Sequence, residues 1–315
     1  MHLYRLFTTA AAAALATGAL AGPALAATPP DASGNYTFST LNNPADPTFN
    51  QLLGVNDSGL ISGYYGSGEA NHPNRGYLIA QPYGQGHYRN ENFPGAAQTQ
   101  VTGLNNVGTT VGFLVNAKGA NSGFYARHGN FHKADFPTSN SASPRVDQLL
   151  GVNDHNVAVG FYTDGQGVNH GYAFNIKRHS YRSIAVSGDT NVTAAGINNA
   201  GDVAGFATTA DGATEAFLKR ADGTVAHLTF PGASSTQAFG VNNGDEVVGD
   251  YTVGSGDAAT THGFAWVPGL GFVNVDDPNG VGATTINGVN DHGKLVGFYT
   301  DSNGNTDGLV ATPSL

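Results

Sequence analysis

Apolar residues in this chain fall in short runs, each closed off by Gly, Asn, Asp or Pro. Gln51-Leu52-Leu53-Gly54-Val55 and Leu60-Ile61-Ser62-Gly63-Tyr64-Tyr65 are representative. Runs of this length, rich in β-branched and aromatic residues, predict strands joined by hairpins. The pattern then repeats. Asn56 to Gly63, Asn105 to Gly112, Asn153 to Gly160, Asn198 to Gly205, Asn242 to Gly249 and Asn290 to Gly297 share one seven-residue step.

Each repeat predicts four strands. The first runs into the Asn and the second runs through the later Gly. The third opens on a small residue and an apolar one, as in Gly76-Tyr77, Gly123-Phe124, Gly171-Tyr172, Ala216-Phe217, Gly263-Phe264 and Gly308-Leu309. The fourth places an aromatic or apolar residue six positions before a proline, as in Tyr88 to Pro94, Phe131 to Pro137, Val225 to Pro231 and Phe272 to Pro278; Tyr181 to Ser187 keeps the spacing without the proline. Between the first and second strands the Asn can close an Asx turn. Three residues on stand Gly59, Gly108, Asn156, Gly201, Asp245 and Gly293, residue types that tolerate a left-handed backbone.

Repeats of this length with four strands each are the signature of propeller blades. The sixth repeat stops at Leu315 after three strands, and the missing fourth strand has a counterpart at Tyr36 to Pro44. Pairing that segment beside Gly308 to Thr312 leaves no repeat short and limits exposed edges. The expectation is an all-β, six-bladed β-propeller over residues 36–315, its ring closed by the N-terminal strand 36–44.

Composition agrees with this. The chain has 45 glycines and 11% charged residues, which suits short strands and tight turns. With no cysteine there are no disulfides, and 315 residues suffice to bury a core without them. Met1 to Arg5, the Ala/Leu-rich run to Leu20 and Ala24-Leu25-Ala26 read as a signal peptide over residues 1–26. Residues 27–35 read as a disordered tail. The expected location is secreted or periplasmic, without membrane insertion. Beyond the leader, 12 basic residues face 23 acidic ones, a net charge of −11, which argues against nucleic acid as a partner. A monomer is expected.

His170-Gly171-Tyr172-Ala173-Phe174 and His262-Gly263-Phe264-Ala265, together with the Gly-x-Asn-[Asp/Asn]-x-Gly phrase, resemble the HAF family of extracellular repeats. The resemblance covers Tyr36 to Leu315. It departs at Arg75, Ser122, Glu215 and Asp307, which stand where the family motif has His. It implies an exported repeat protein and carries no set of catalytic residues.

The chemistry is less specific. His72, His170 and His262 precede the third strand in alternate repeats, but His72 is offset and the three are not expected to converge on a metal. Asp301, Asn303 and Asn305 alternate oxygen donors as a calcium loop begins, without its later glycine and bidentate acid; a polar hairpin is the simpler reading. No nucleophile elbow occurs, and no cofactor is implied. Tyr65, Tyr162, Tyr251 and Tyr299 stand two residues after the second-strand Gly, while Leu114 and Ala207 hold that place elsewhere. They enter the connections between second and third strands, on one expected face with those between fourth and first strands. There they could stack on sugar rings, or pack between blades. The connection from Pro137 to Asn153 is the longest of its kind, and repeats one and five carry extra residues at Glu69 to Asn74 and Asp257 to Thr261. Insertions on one face are where repeat proteins place function.

The ligand candidates are therefore Tyr65, Tyr162, Tyr251, Tyr299, His170 and His262. The leading expectation is binding of an extracellular glycan or surface polymer. The alternatives are a hydrolase or lyase with carboxylates or histidines at the channel mouth, or a structural envelope protein.

Overall fold

The turn after each first strand sets the architecture. In the computed structural model, which describes residues 29–139 and 142–314, Asn153 Oδ1 accepts the backbone N–H groups of His155 (3.1 Å) and Val157 (3.0 Å). Asn156 takes the left-handed backbone at φ 57°, as do Asp245 at φ 59° and Gly293 at φ 71°. The Asx turn and the permissive fourth position are thus both present. Only strands and short 3-10 turns occur among the described residues. No helix there is long and apolar enough to cross a membrane.

Each repeat forms a four-stranded antiparallel set that is open at its outer edge. The first repeat orders Asn50–Val55, Ile61–Tyr65, Arg75–Ile79 and Tyr88–Asn90 from inside to outside. The fourth and fifth repeats merge into one eight-stranded sheet through a single parallel pair, Thr214 with Ser235. First strands are buried along nearly their whole length, whereas fourth strands such as Tyr88–Asn90 are largely exposed.

The first strands also bulge at a conserved step of the repeat, between Leu52 and Gly54, Val101 and Gly103, Leu149 and Gly151, Ala194 and Gly196, Ala238 and Gly240, and Ile286 and Gly288. Each bulge turns a glycine toward the next repeat. A Cβ on Gly151 would sit 2.6 Å from the Ala195 carbonyl and 3.2 Å from Gly196 Cα. The contacts pass from Gly54 to Gly103 and onward to Gly288, whose own Cβ would lie 3.2 Å from Gly54 Cα. Only glycine permits this approach of backbone to backbone.

Hydrogen bonds run in the same circuit. Asn56 Nδ2 donates to the Asn105 carbonyl, Asn105 to Asn153, Asn153 to Asn198, Asn198 to Asn242, Asn242 to Asn290, and Asn290 back to Asn56. A second circuit runs one residue on, where the backbone N–H of Asp57, Asn106, Asp154, Asn199, Asn243 and Asp291 each donates to the side-chain oxygen of the next residue in that order, and Asp291 to Asp57.

The N-terminal strand lies where the count of strands required it. Tyr36–Thr40 pairs antiparallel with Thr306–Pro313, from Tyr36 opposite Pro313 to Thr40 opposite Leu309. Apolar side chains from the two chain ends share one core, in which Leu41, Leu52 and Ile61 pack with Val296 and Val310. The expected signal peptide, residues 1–26, lies outside the described residues. The expected disordered tail differs from its described part: Pro30 O accepts Asn274 N–H, Ala32 N–H donates to Asn274 O, and Ala32 is buried. The open edge strand of the fifth repeat, Gly271–Asn274, offers its unpaired backbone groups, and these order the arm.

Candidate ligand face

The connections between second and third strands and those between fourth and first strands meet at one edge of the sheets. There the third and fifth repeats build the same object. Tyr162 faces His170 across the ladder, and Tyr251 faces His262. Each tyrosine is covered on its other side by the residue before the proline of the preceding repeat. Phe136 stacks on Tyr162 with centroids 4.8 Å apart and planes 13° apart, and Tyr162 stacks on His170 at 5.0 Å and 23°. In the fifth repeat Phe230 lies 3.5 Å from Tyr251 at 6°, and Tyr251 lies 5.3 Å from His262 at 26°. Both stacks end on a partly exposed imidazole, 44% for the His170 side chain and 33% for that of His262.

Each imidazole is anchored by a carboxylate. His170 Nε2 lies 2.7 Å from Asp164 Oδ2, and His262 Nδ1 lies 2.7 Å from Asp276 Oδ2. The carboxylates can only accept, so those ring nitrogens carry the protons. The hydrogen bond from His170, with the Val168 N–H, holds Asp164 down at about 2. Asp276 is fixed by Gly263 N–H at 3.0 Å and Asn274 Nδ2 at 3.2 Å.

The other sequence candidates are used differently. Tyr299 is buried at 3% exposure, its hydroxyl 2.7 Å from Thr40 Oγ1, and its ladder partner is Asp307. Tyr251 is 7% exposed, and its hydroxyl donates to Asn274 Oδ1 at 2.8 Å; burial pushes it up to about 12. Tyr65 is half-buried and stacks on Tyr77 at 6.4 Å and 24°. The tyrosine rings therefore pack between repeats, and the histidines are what the stacks present to solvent. His72 pairs with Asp46 at 3.0 Å, so the three histidines of alternate repeats each serve a separate carboxylate.

Asp301 closes a hairpin. Its Oδ1 accepts the N–H groups of Asn303 and Asn305, both at 2.8 Å, and its Oδ2 accepts Asn305 Nδ2 at 2.9 Å. Among the described residues no three His, Asp or Glu side chains are grouped to hold a metal ion.

The opposite edge carries an axial mouth lined by Asp57, Asn106, Asp154, Asn199, Asn243 and Asp291, a cavity of about 80 Å³. Its carboxylates are engaged in the circuit: Asn106 Nδ2 reaches both Asp57 and Asp154, Asn199 Nδ2 reaches Asp154, and Asn243 Nδ2 reaches Asp291.

Sequence reasoning missed Phe136, Phe230, Asp164 and Asp276. A signal for the first two was present. Phe136 and Phe230 precede repeats with Tyr162 and Tyr251, whereas Val186 precedes one with Ala207; the matching of bulk holds at these three junctions and not where Asn43, Phe93 and Asp277 precede Tyr65, Leu114 and Tyr299.

No protein-family model matches the chain, and no curated protein sequence matches it. Solved structures do resemble it in fold. TolB from Acinetobacter baumannii has a TM-score of 0.54 at 10% identity, over 80% of this chain and 63% of that one. A gluconolactonase from Xanthomonas campestris has a TM-score of 0.50 at 11% identity, over 93% and 99% of the two chains. A fucose-specific lectin from Aleuria aurantia has a TM-score of 0.50 at 11% identity, over 83% and 91%. The chain spans less than two thirds of the TolB chain. At such identities the likeness is one of fold alone, an all-β propeller-type arrangement of four-stranded sheets.

Proposed function

We propose that this chain is an exported, six-bladed propeller of the HAF type that binds a glycan or surface polymer at the His170 and His262 stacks. The carrying observation is the pair of three-ring stacks, each ended by a partly exposed imidazole bonded to a carboxylate. A pyranose has an apolar C–H face and a rim of hydroxyls. An imidazole backed by tyrosine offers the first a flat, rigid surface, and Asp164 or Asp276 offers the second an oriented acceptor. The exposed Val281, at 60%, and Val253, at 40%, widen the apolar surface around the fifth-repeat stack. The returning circuits of Asn56 and Asp57 support six blades in a closed ring, with Tyr36–Thr40 as the last strand of the sixth. Export rests on the leader-like residues 1–26.

A polysaccharide pull-down and glycan array test the reading. Binding is expected, and His170→Ala and His262→Ala each weaken it about tenfold, in the range of lost aromatic contacts. No binding by the folded parent, or binding indifferent to both substitutions, would sink the proposal.

A further inference from the structure

The fifth-repeat stack contains a feature that the third lacks. His262 uses both ring nitrogens: Nδ1 faces Asp276 Oδ2 at 2.7 Å, and Nε2 faces Thr260 Oγ1 at 2.9 Å. Because Nδ1 carries the proton, Nε2 of the neutral ring accepts the Thr260 hydroxyl. In the third repeat the residue two before the histidine is Val168, and Asp164 binds Nε2 instead, so that hydroxyl–imidazole–carboxylate order does not form there. The repeat architecture evidently does not need it.

We propose that Thr260, His262 and Asp276 form a relay that hydrolyses carboxylic esters, with Thr260 as nucleophile, His262 as base and Asp276 as the positioning carboxylate. Geometry carries this. Nucleophile and base lie within hydrogen-bond reach, and the base is oriented by a third group. Tyr251 and Phe230 fix the imidazole plane, while Gly263 N–H and Asn274 Nδ2 fix Asp276. The N-terminal arm adds a further restraint, since Ser33 Oγ accepts Asp276 N–H at 2.9 Å. Thr260, one of the extra residues Asp257 to Thr261, and His262, which follows them, are both partly exposed. Val253, 40% exposed, stands opposite Thr260 in the ladder and gives a short acyl group an apolar wall.

In the first step Thr260 Oγ bonds to the ester carbonyl carbon as Nε2 takes the hydroxyl proton. The bond to the alcohol oxygen then breaks, and the alcohol leaves with that proton. Water, deprotonated by Nε2, attacks the acyl-threonine and releases the carboxylic acid, restoring the Thr260 hydroxyl. Ester and water become acid and alcohol; Asp276 stays ionised and stabilises the imidazolium between steps.

The experiment uses the full chain with p-nitrophenyl acetate as substrate and a fluorophosphonate as covalent probe, read by intact mass and peptide mapping. A single adduct on Thr260 is expected. Thr260→Ala abolishes the adduct and lowers turnover at least about 100-fold, and Thr260→Ser keeps both. Asp276→Asn lowers turnover by a comparable factor. Melting curves of all variants separate chemistry from folding. An adduct elsewhere, a Thr260→Ala variant as active as the parent, or a folded parent with neither adduct nor turnover overturns the proposal. Carbohydrate binding by the parent chain is read separately by the pull-down, so a parent that binds without adduct or turnover overturns the relay alone, and one that forms the adduct without binding overturns the binding reading alone.

Discussion

At Asn153 the side-chain oxygen closes its own turn while the side-chain nitrogen reaches the Asn198 carbonyl of the next repeat. Gly160, seven residues on, answers a different demand: a Cβ there would lie 1.9 Å from the Gln148 carbonyl. Gly160→Ala is expected to cost about 3 kcal/mol or more in urea unfolding, because rigid backbone must move. Gly129, at φ 79° with open space around it, costs only about 1 kcal/mol as Ala. Equal costs would refute this account of the step. Asp250 makes a pH prediction. Burial raises its carboxyl to about 7, with Thr285 Oγ1 donating at 3.0 Å. The unfolded value is about 3.9, so between about pH 4 and 7 the folded state binds the extra proton and stability falls as pH rises. Asp250→Asn should flatten that slope in melting temperature between pH 4 and 8; an unchanged slope would assign it elsewhere. Carboxyls held low by hydrogen bonds, such as Asp164, act only as pH falls through their own range.

Among the elements, the N-terminal strand combines the most dependencies. Tyr36–Thr40 covers the edge of Thr306–Pro313, and Thr40 holds the Tyr299 hydroxyl. A chain starting at Leu41 leaves that edge unpaired, a template for self-association. The shortened chain is expected to melt lower and to scatter light as oligomers, and a synthetic 36–44 peptide is expected to reverse both. Monodisperse protein with an unchanged melting curve would show the strand to be dispensable. The place of this strand was legible because the sixth repeat is one strand short, which is a matter of counting. The order of residues 29–35 was not legible. Nothing in Pro30 to Asn35 has a strand period, and their partners come from residues distant in sequence, Asn274 and Asp276 beside the open edge and Ser314 near the other chain end.

Across the whole molecule, local pattern and long-range packing divide the information between them. The sequence by itself determined the repeat, the Asx turn, the four strands of each unit and the need for Tyr36 to complete the last one. These depend on period, turn chemistry and neighbours within a few residues. Tertiary structure alone decided that the first-strand glycines meet backbone to backbone and that the Asn side chains link consecutive repeats. It also decided that Phe136 and Phe230 bury Tyr162 and Tyr251, leaving the histidines outermost. It alone brought Asp276 to His262 and Thr260, since one carboxylate among 23 acidic residues acquires its role only when another strand carries it across the sheet.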